Sequence, residues 1–191
     1  MSRWVSVIGV LLLGVVVTTA CVSASLFEPV SDRQLVCEAT DIVRGRIETV
    51  QADWDSDHTA IWTTATLQVD EVVRGTLSPG ALVPLKEVGG TADGYAIQAD
   101  GFPTFRDGEE VVVLLRPWED DSGVYRVWGY GRGMFLVDRG PGGVPTARRF
   151  DLAESGQATM HVDRIPPAIV LDALNRQLSG LAKRCEAGGA P

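Results

Sequence analysis

The chain has 191 residues, of which 45% are hydrophobic and 22% are charged, and its formal net charge is −8. This length and composition favour one globular domain plus an export signal over two domains. The negative charge repels phosphate backbones, so nucleic acid is excluded as an expected partner.

Residues 1–24 have the features of an export signal: a basic residue near the start, an apolar run and then small residues. The apolar run is too short for a comfortable membrane span. Cleavage after Ala24 would leave a secreted or periplasmic protein. Alternatively, a lipoprotein box would remove residues 1–20 and attach a lipid to Cys21, the one expected link to a membrane. We favour simple secretion, because threonine is a poor residue at the first position of such a box.

The cysteines support export. If Cys21 is removed or lipidated, Cys37 and Cys185 remain as an even pair in an oxidising compartment, which predicts a disulfide between them. The alternative is two free buried thiols. A bridge between these cysteines would close nearly the whole mature chain, and the loop-entropy model gives it up to about 5 kcal/mol.

A short helix and two long strands are predicted in the first half. Ser31 and Gln34 fit a capping box, which predicts a helix over 32–39 that carries Cys37. Residues 41–51 interleave β-branched and charged residues, which indicates a half-buried strand with a bend at Gly45. Residues 59–73 alternate strictly between apolar and polar side chains, the period of a second strand.

The second half is predicted to contain short strands and one long helix. The helix opens at Pro166 and carries an apolar stripe of leucines that ends at Cys185. Two aromatic residues in the loop 101–108 are expected to plug one end of the core. Residues 129–133 (GYGRG) are expected to form a bulge or crossover, since they lack the spacing of a phosphate-binding loop. The predicted strands are 81–88, 95–99, a central 110–116, a pair formed by 123–130 and 134–138, and an edge strand at 144–152.

Together these elements predict a mainly β fold. Residues 25–186 would form one antiparallel β-barrel with a short N-terminal helix and a C-terminal amphipathic helix, joined by the disulfide. Residues 187–191 are a tail.

The residues 37–47 (CEATDIVRGRI) resemble the start of netrin-like domains and of tissue inhibitors of metalloproteinases. Residues 66–75 (TLQVDEVVRG) resemble the second-strand signature of the same domains. The resemblance covers residues 37–90 and implies a five-stranded OB-type barrel with flanking helices. In that family one disulfide ties the helix before the first strand to the chain after the last helix, which maps onto Cys37 and Cys185.

One feature of the inhibitors has no counterpart here. Their mature chain begins with a Cys-x-Cys whose free amine chelates the protease zinc, whereas a chain starting at Ser25 lacks the motif and Cys21 would be acylated. The resemblance therefore implies a protein-binding barrel without zinc-chelating inhibition. The whole chain also resembles exported bacterial proteins of this architecture, which imply no activity.

An acidic loop offers a candidate calcium site. Asp53, Asp55 and Asp57 occupy alternate positions, as carboxylates do in calcium loops. The glycine and the distal glutamate of an EF-hand are absent. A solvated acidic hairpin is therefore the favoured interpretation, and these three aspartates are the ligands if calcium binds.

The tryptophans offer a candidate binding surface. OB-type barrels use aromatic residues on one strand face to stack bases or sugars. Trp62 lies on the strand face opposite Ile61, and Trp54 lies beside the acidic loop. The alternative is that these rings cover a helix interface or a barrel end. If a surface binds a partner, we expect Trp54 and Trp62 to be part of it.

No catalytic constellation accompanies the two histidines, His58 and His161. We therefore expect no enzymatic activity and no cofactor. The sequence favours a non-catalytic exported module that binds another envelope or secreted protein, with an exported protease as one candidate. The alternative is a carbohydrate- or calcium-binding surface module, and a hydrolase with an unrecognised site is the weakest hypothesis.

Overall fold

The computed structural model describes residues 30–118, 121–140, 142–150, 165–166 and 168–188. The predicted leader with Cys21, the histidine His161 and most of the predicted tail lie outside them. The elements in chain order are α1 (Asp32–Glu38), β1 (Asp41–Trp54), β2 (Ile61–Arg74), β3 (Leu82–Val88), β4 (Gly90–Ala92), β5 (Tyr95–Ile97), β6 (Glu110–Trp118), β7 (Asp121–Val127), a 3-10 turn (Tyr130–Gly133), β8 (Met134–Asp138), β9 (Thr146–Arg149), β10 (Ala168–Val170) and α2 (Leu171–Glu186).

Helix α1 begins at the predicted cap. The Gln34 N–H donates to Ser31 Oγ at 3.1 Å, which satisfies one of the free N–H groups of the first turn. The Gln34 side chain does not reach back to the cap, because it donates instead to Glu38 one turn later, at 2.9 Å. The capping box is therefore half formed.

A buried ion pair ties α1 to the sheet. The Asp32 carboxylate lies 3.0 Å from the Arg149 guanidinium of β9, and both side chains are almost fully buried. The second Asp32 oxygen accepts the Ile165 N–H at 2.6 Å. The ionised carboxylate is thus compensated by a charge and by a hydrogen bond, as a buried charge requires.

Strands β1 and β2 form the long hairpin that the sequence predicts, with β1 three residues longer than expected, reaching Trp54. The alternation of β2 is confirmed, since Ile61, Ala65 and Leu67 are fully buried. The predicted bend in β1 is confirmed as a register shift at Gly45. A Cβ atom there would overlap a backbone carbonyl of β2, so this position needs glycine.

The protein is mainly β, built on one large mixed sheet with a C-terminal helix. The sheet has the order β1-β2-β3-β7-β6-β8-β9-β10, and β1 also pairs with β6. Strand β3 runs parallel to β1, because β2 is antiparallel to both. Strand β7 also runs parallel to β1, because β6 is antiparallel to both, and it therefore lies parallel to β3. The predicted antiparallel barrel is thus only partly right. Most pairs are antiparallel, but β3 and β7 meet at one residue pair, β8 to β10 extend the sheet beyond β6, and no closed barrel results.

Four predictions in the second half need correction. Strands β7 and β8 do not pair with each other, because both lie along the same side of β6, one after the other. The predicted bulge residues form the 3-10 turn that separates them. Strand β9 is not an edge strand, since it lies between β8 and β10, and α2 begins after β10 instead of at Pro166.

The core has two parts, one on each face of the central strand β6. Val112 and Leu114 face the two helices, while Val111, Val113 and Leu115 face β2 and β3. Burial on both faces explains why β6 is so apolar. The predicted plug is half confirmed: Phe105 enters the second part of the core, whereas Phe102 is half-buried and packs edge-on against Tyr130.

The predicted disulfide is present. Cys37 of α1 and Cys185 of α2 are bridged across 148 residues, with their Cα atoms 5.4 Å apart. The predicted leucine stripe of α2 is buried against α1 and the sheet, which brings Cys185 to the bridge. A disulfide is typical of an oxidising, exported environment.

Candidate functional site

The β3–β7 junction is held by side chains as well as by backbone. Its strand pairing is one parallel bridge, between Leu85 and Tyr125. On one side of this bridge Glu87 Oε1 accepts the Val127 N–H at 2.6 Å. The Trp118 indole N–H, from β6, reaches the backbone carbonyl of Lys86 in β3 at 3.1 Å. Two side chains therefore supply hydrogen bonds that a longer strand pair would make through its backbone.

Glu87 is an unusual residue for this place. Its neighbours on the same face of β3, Val83 and Leu85, are apolar, and Glu87 is 3% exposed. Burial raises the pKa of the Glu87 carboxyl to about 7, and the hydrogen bond from Val127 and the charge of Arg126 offset only part of that effect. The junction thus contains a carboxyl group that changes its charge near neutral pH.

The outer face of the sheet at this junction carries alternating cations and indole rings, which we call the cation–tryptophan array. Each cation lies next to a buried residue on its strand, so the period of two directs it outward. The array consists of Trp62 of β2, Lys86 of β3, Arg116 and Trp118 of β6, Arg126 of β7 and Trp128 just after it.

The contacts within the array are continuous. Lys86 Nζ lies 5.2 Å from the ring centre of Trp62, and Trp62 meets Trp118 edge to face at 5.8 Å. The Arg126 guanidinium lies between two rings, 5.0 Å from Trp118 and 5.3 Å from Trp128. Arg116 covers Trp128 at 4.5 Å. These distances are typical of cation–π interactions, each of which contributes about 0.5–1 kcal/mol at such half-exposed positions.

The cations of the array have no carboxylate partner among the described side chains. Among the described side chains, Lys86, Arg116 and Arg126 take part in no ion pair. Arg116 and Arg126 stand directly opposite each other in the β6–β7 pairing, a like-charge arrangement that opposes sheet formation. The buried N–H groups Arg126 Nε and Trp128 Nε1 have no hydrogen-bond partner there either. The array is therefore a cationic patch without described ion-pair partners, on a chain of net charge −8.

The structure separates the two predicted surface tryptophans. Trp54 is paired with Ile61, and Trp62 is paired with Asp53. Since paired residues of an antiparallel hairpin point to the same side, Trp54 and Trp62 lie on opposite faces. They do not form one joint surface: Trp62 belongs to the array, and both rings are half-buried.

Trp54 belongs to a second aromatic cluster, at the tip of the β1–β2 hairpin. It stacks on His58 with ring centres 5.8 Å apart, and Tyr95 of β5 meets it edge to face at the same distance. Tyr95 is 65% exposed. Two hairpin tips thus present an aromatic surface that is open to solvent.

The acidic loop beside this cluster has a structural role. Asp55 accepts both the N–H and the hydroxyl of Thr59 at 2.7 Å, and these hydrogen bonds lower its pKa. Asp53 accepts from the Gln51 side chain at 2.8 Å. In the part of the chain that the structure describes, Asp53, Asp55 and Asp57 do not converge with one another as metal ligands would, and no other group of three suitable side chains does.

A cavity of about 290 Å³ lies elsewhere, along β6 and β8. Glu110 lines it and accepts two hydrogen bonds of 2.9 Å from Arg139. Arg46, also in the wall, donates to the Gly108 carbonyl at 2.9 Å. These groups bond to each other, so the cavity offers a weaker case for a ligand than the array does.

Sequence reasoning found only Trp62 of the array. The cations Lys86, Arg116 and Arg126 each fit the outward half of a strand pattern, which is the ordinary place for a charged residue. Their proximity depends on the order β2-β3-β7-β6, which no local pattern contains. The number of tryptophans was the signal available, and it did not indicate which ones meet.

Comparison with known proteins adds no relative: no family model matches the chain, and no curated protein is significantly similar to it. Among the helices of the described residues, none is long and apolar enough to cross a membrane. The assignment of function therefore depends on the geometry of this chain alone.

Proposed function

We propose that the chain is an exported, non-catalytic module that binds another envelope or secreted protein through the cation–tryptophan array. The observation that carries the proposal is the array itself, which combines half-buried indole rings with cations that take part in no ion pair among the described residues. Tryptophan and arginine are the residues most enriched at energetic centres of protein interfaces. An exported protease is one candidate partner, as the family resemblance implies.

The proposal includes a finer assignment of the fold, as an OB-type barrel related to netrin-like domains. It is supported by the circuit of pairings β1–β2–β3–β7–β6 together with β6–β1, since OB-folds are five-stranded and only partly closed. The disulfide supports it as well, because it starts in the helix before the first strand, although it ends in the last turn of the last helix and not in the chain after it. Processing after Ala24 or lipidation at Cys21 would place the module in the medium, in the periplasm or on the envelope.

The experiment is capture with matched tryptophan variants. The protein is secreted with its own N-terminal segment, purified oxidised, immobilised and exposed to the exported proteins of its host. A retained protein is then purified, and its affinity is measured by calorimetry for the wild type, Trp62→Ala and Trp54→Ala. We expect Trp62→Ala to weaken binding by about tenfold or more, as at an interface centre, and Trp54→Ala to leave it within about twofold. Retention of no protein, or equal affinity for both variants, would refute the proposal.

The second candidate function is carbohydrate binding at the hairpin tips. It is favoured by one observation, the solvent-open cluster of Trp54, His58 and Tyr95. Envelope glycans passed over the same immobilised proteins test it. Glycan retained by the wild type and by Trp62→Ala, but lost from Trp54→Ala, would establish this function in place of the first.

A further inference from the structure

We propose that the cation–tryptophan array recognises a carboxylate-rich segment of a protein, with Arg116 and Arg126 each receiving a carboxylate. The inference deepens the proposed function and rests on it, since it names the chemistry of the partner at the same surface. The supporting observation is that the guanidinium groups of Arg116 and Arg126 are stacked on indole rings and take part in no ion pair among the described residues.

The charges of the array favour an anionic partner. Arg116 and Arg126 are held opposite each other on adjacent strands, and no described carboxylate lies within ion-pair distance of either. Glu87, whose carboxyl group is influenced by the charge of Arg126, is buried beneath the face and accepts a backbone N–H. The repulsion between the two arginines opposes folding, and a bound anion would reduce it.

The geometry of the array suits a carboxylate. Contacts with the rings of Trp118 and Trp128 hold the Arg126 guanidinium in place, and a contact with the ring of Trp128 holds the Arg116 guanidinium. Stacking leaves the in-plane N–H groups of a guanidinium available for two parallel hydrogen bonds to a carboxylate, and because Arg126 Nε is buried, its two Nη groups are the donors proposed for this contact. Because the packing already immobilises both side chains, binding costs little additional side-chain entropy.

Two features of the molecule favour a protein segment over other polyanions. Each ring of the array is already contacted by a cation, and these contacts compete with the stacking of a base or a sugar. The chain as a whole carries a net charge of −8, although the array is cationic, so the remainder of the surface repels a long nucleic acid or acidic polysaccharide. A short acidic peptide segment can contact the array without lying along the negative remainder of the surface.

The test uses the secreted, oxidised full chain and a fluorescent hexaglutamate peptide, with binding followed by anisotropy at low ionic strength, where such contacts are strongest. The variants are Arg116→Gln, Arg126→Gln and the pair of lysine substitutions at the same positions. The matched control is Arg106→Gln, which removes the same charge from a side chain that is 82% exposed outside the array. Thermal unfolding of each variant verifies that it is folded, and Arg116→Gln keeps the test valid if Arg126→Gln is not.

We expect each glutamine substitution in the array to weaken peptide binding by about tenfold, the effect of losing one charged hydrogen-bonded pair. The lysine variants should bind with intermediate affinity, since they keep the charge and lose the paired donors. The control should stay within about twofold of the wild type. Equal weakening by Arg106→Gln would show general charge attraction and would overturn the inference, as would no binding at all.

Two further arms use oligogalacturonate and polyphosphate as probes, and tighter binding of either would overturn the choice of a peptide. The captured protein partner distinguishes the inference from the proposed function. If the partner binds the wild type and the glutamine variants equally but is lost from Trp62→Ala, the binding module stands and the acidic segment is refuted. If no protein is captured, the proposed function fails first.

Discussion

Glu87 makes the stability of the fold depend on pH in a defined direction. Its pKa is raised from 4.5 to about 7, mainly because burial disfavours the charged form. A carboxyl group with a raised pKa in the folded state contributes its full stability below about pH 4.5 and loses that contribution as the pH rises through 7. The difference between the two pKa values, at about 1.4 kcal/mol per pKa unit, sets a ceiling of about 3 kcal/mol.

The perturbation is Glu87→Gln, which stays neutral and can still accept the Val127 N–H through its amide oxygen. We expect the free energy of unfolding of the variant, relative to the wild type, to rise by up to about 3 kcal/mol between pH 4.5 and pH 8. Urea unfolding, followed by tryptophan fluorescence with the disulfide intact, measures this difference at each pH. Comparing variant with wild type removes the contribution of the other carboxyl groups.

The matched control is Glu48→Gln, at an exposed position of β1. Its difference from the wild type should stay within about 0.5 kcal/mol over the same pH range, as for most surface substitutions. If Glu87→Gln shows the same flat dependence, the reasoning from burial at the β3–β7 junction is wrong. The reasoning is also wrong if the free energy of unfolding of Glu87→Gln, relative to the wild type, falls as the pH rises.

Four further predictions concern stability and use urea or thermal unfolding. Replacing both Cys37 and Cys185 by alanine should lower the free energy of unfolding by up to about 5 kcal/mol, and an unchanged value would contradict the loop-entropy account. Gly45→Ala should cost about 1–3 kcal/mol because the new methyl group overlaps a carbonyl of β2. Gly180→Ala in α2, where nothing lies within 4 Å, should instead stabilise by about 1 kcal/mol, and a loss there would show that the helix packs differently. Asp32→Asn removes the buried charge that pairs with Arg149 and should cost about 3–5 kcal/mol, whereas a cost below about 1 kcal/mol would mean that the pair is solvated.

The features that the sequence predicts well are those in which local pattern and tertiary packing agree. The alternation of β2, the stripe of α2 and the cap at Ser31 each express a short-range periodicity or hydrogen bond, and each is present. The bridge between Cys37 and Cys185 could be predicted from the even number of cysteines left after the leader and from the expected oxidising compartment. Strand partners depend instead on contacts between distant segments. The pairing of β7 and of β8 with β6, the strand β10 and the parallel junction between β3 and β7 therefore could not be predicted.

The candidate site was less predictable for the same reason. Trp62 and Trp118 are far apart in sequence and meet only because β6 and β7 return beside β3. Trp54 and Trp62, which are close in sequence, were grouped together and lie on opposite faces. Proximity along the chain was a poor guide, because one hairpin necessarily directs neighbouring side chains to both sides of the sheet.

The position of the disulfide also determines how the protein bears mechanical tension. Cys37 precedes β1 and Cys185 lies in the last turn of α2, so every strand of the sheet falls within the covalent loop. A force applied between a residue before Cys37 and a residue after Cys185 passes through the sulfur–sulfur bond and leaves the sheet unloaded. Reduction redirects that force onto α1, β1 and α2. The redox state of one bond therefore decides whether pulling on the two ends of the chain unfolds it.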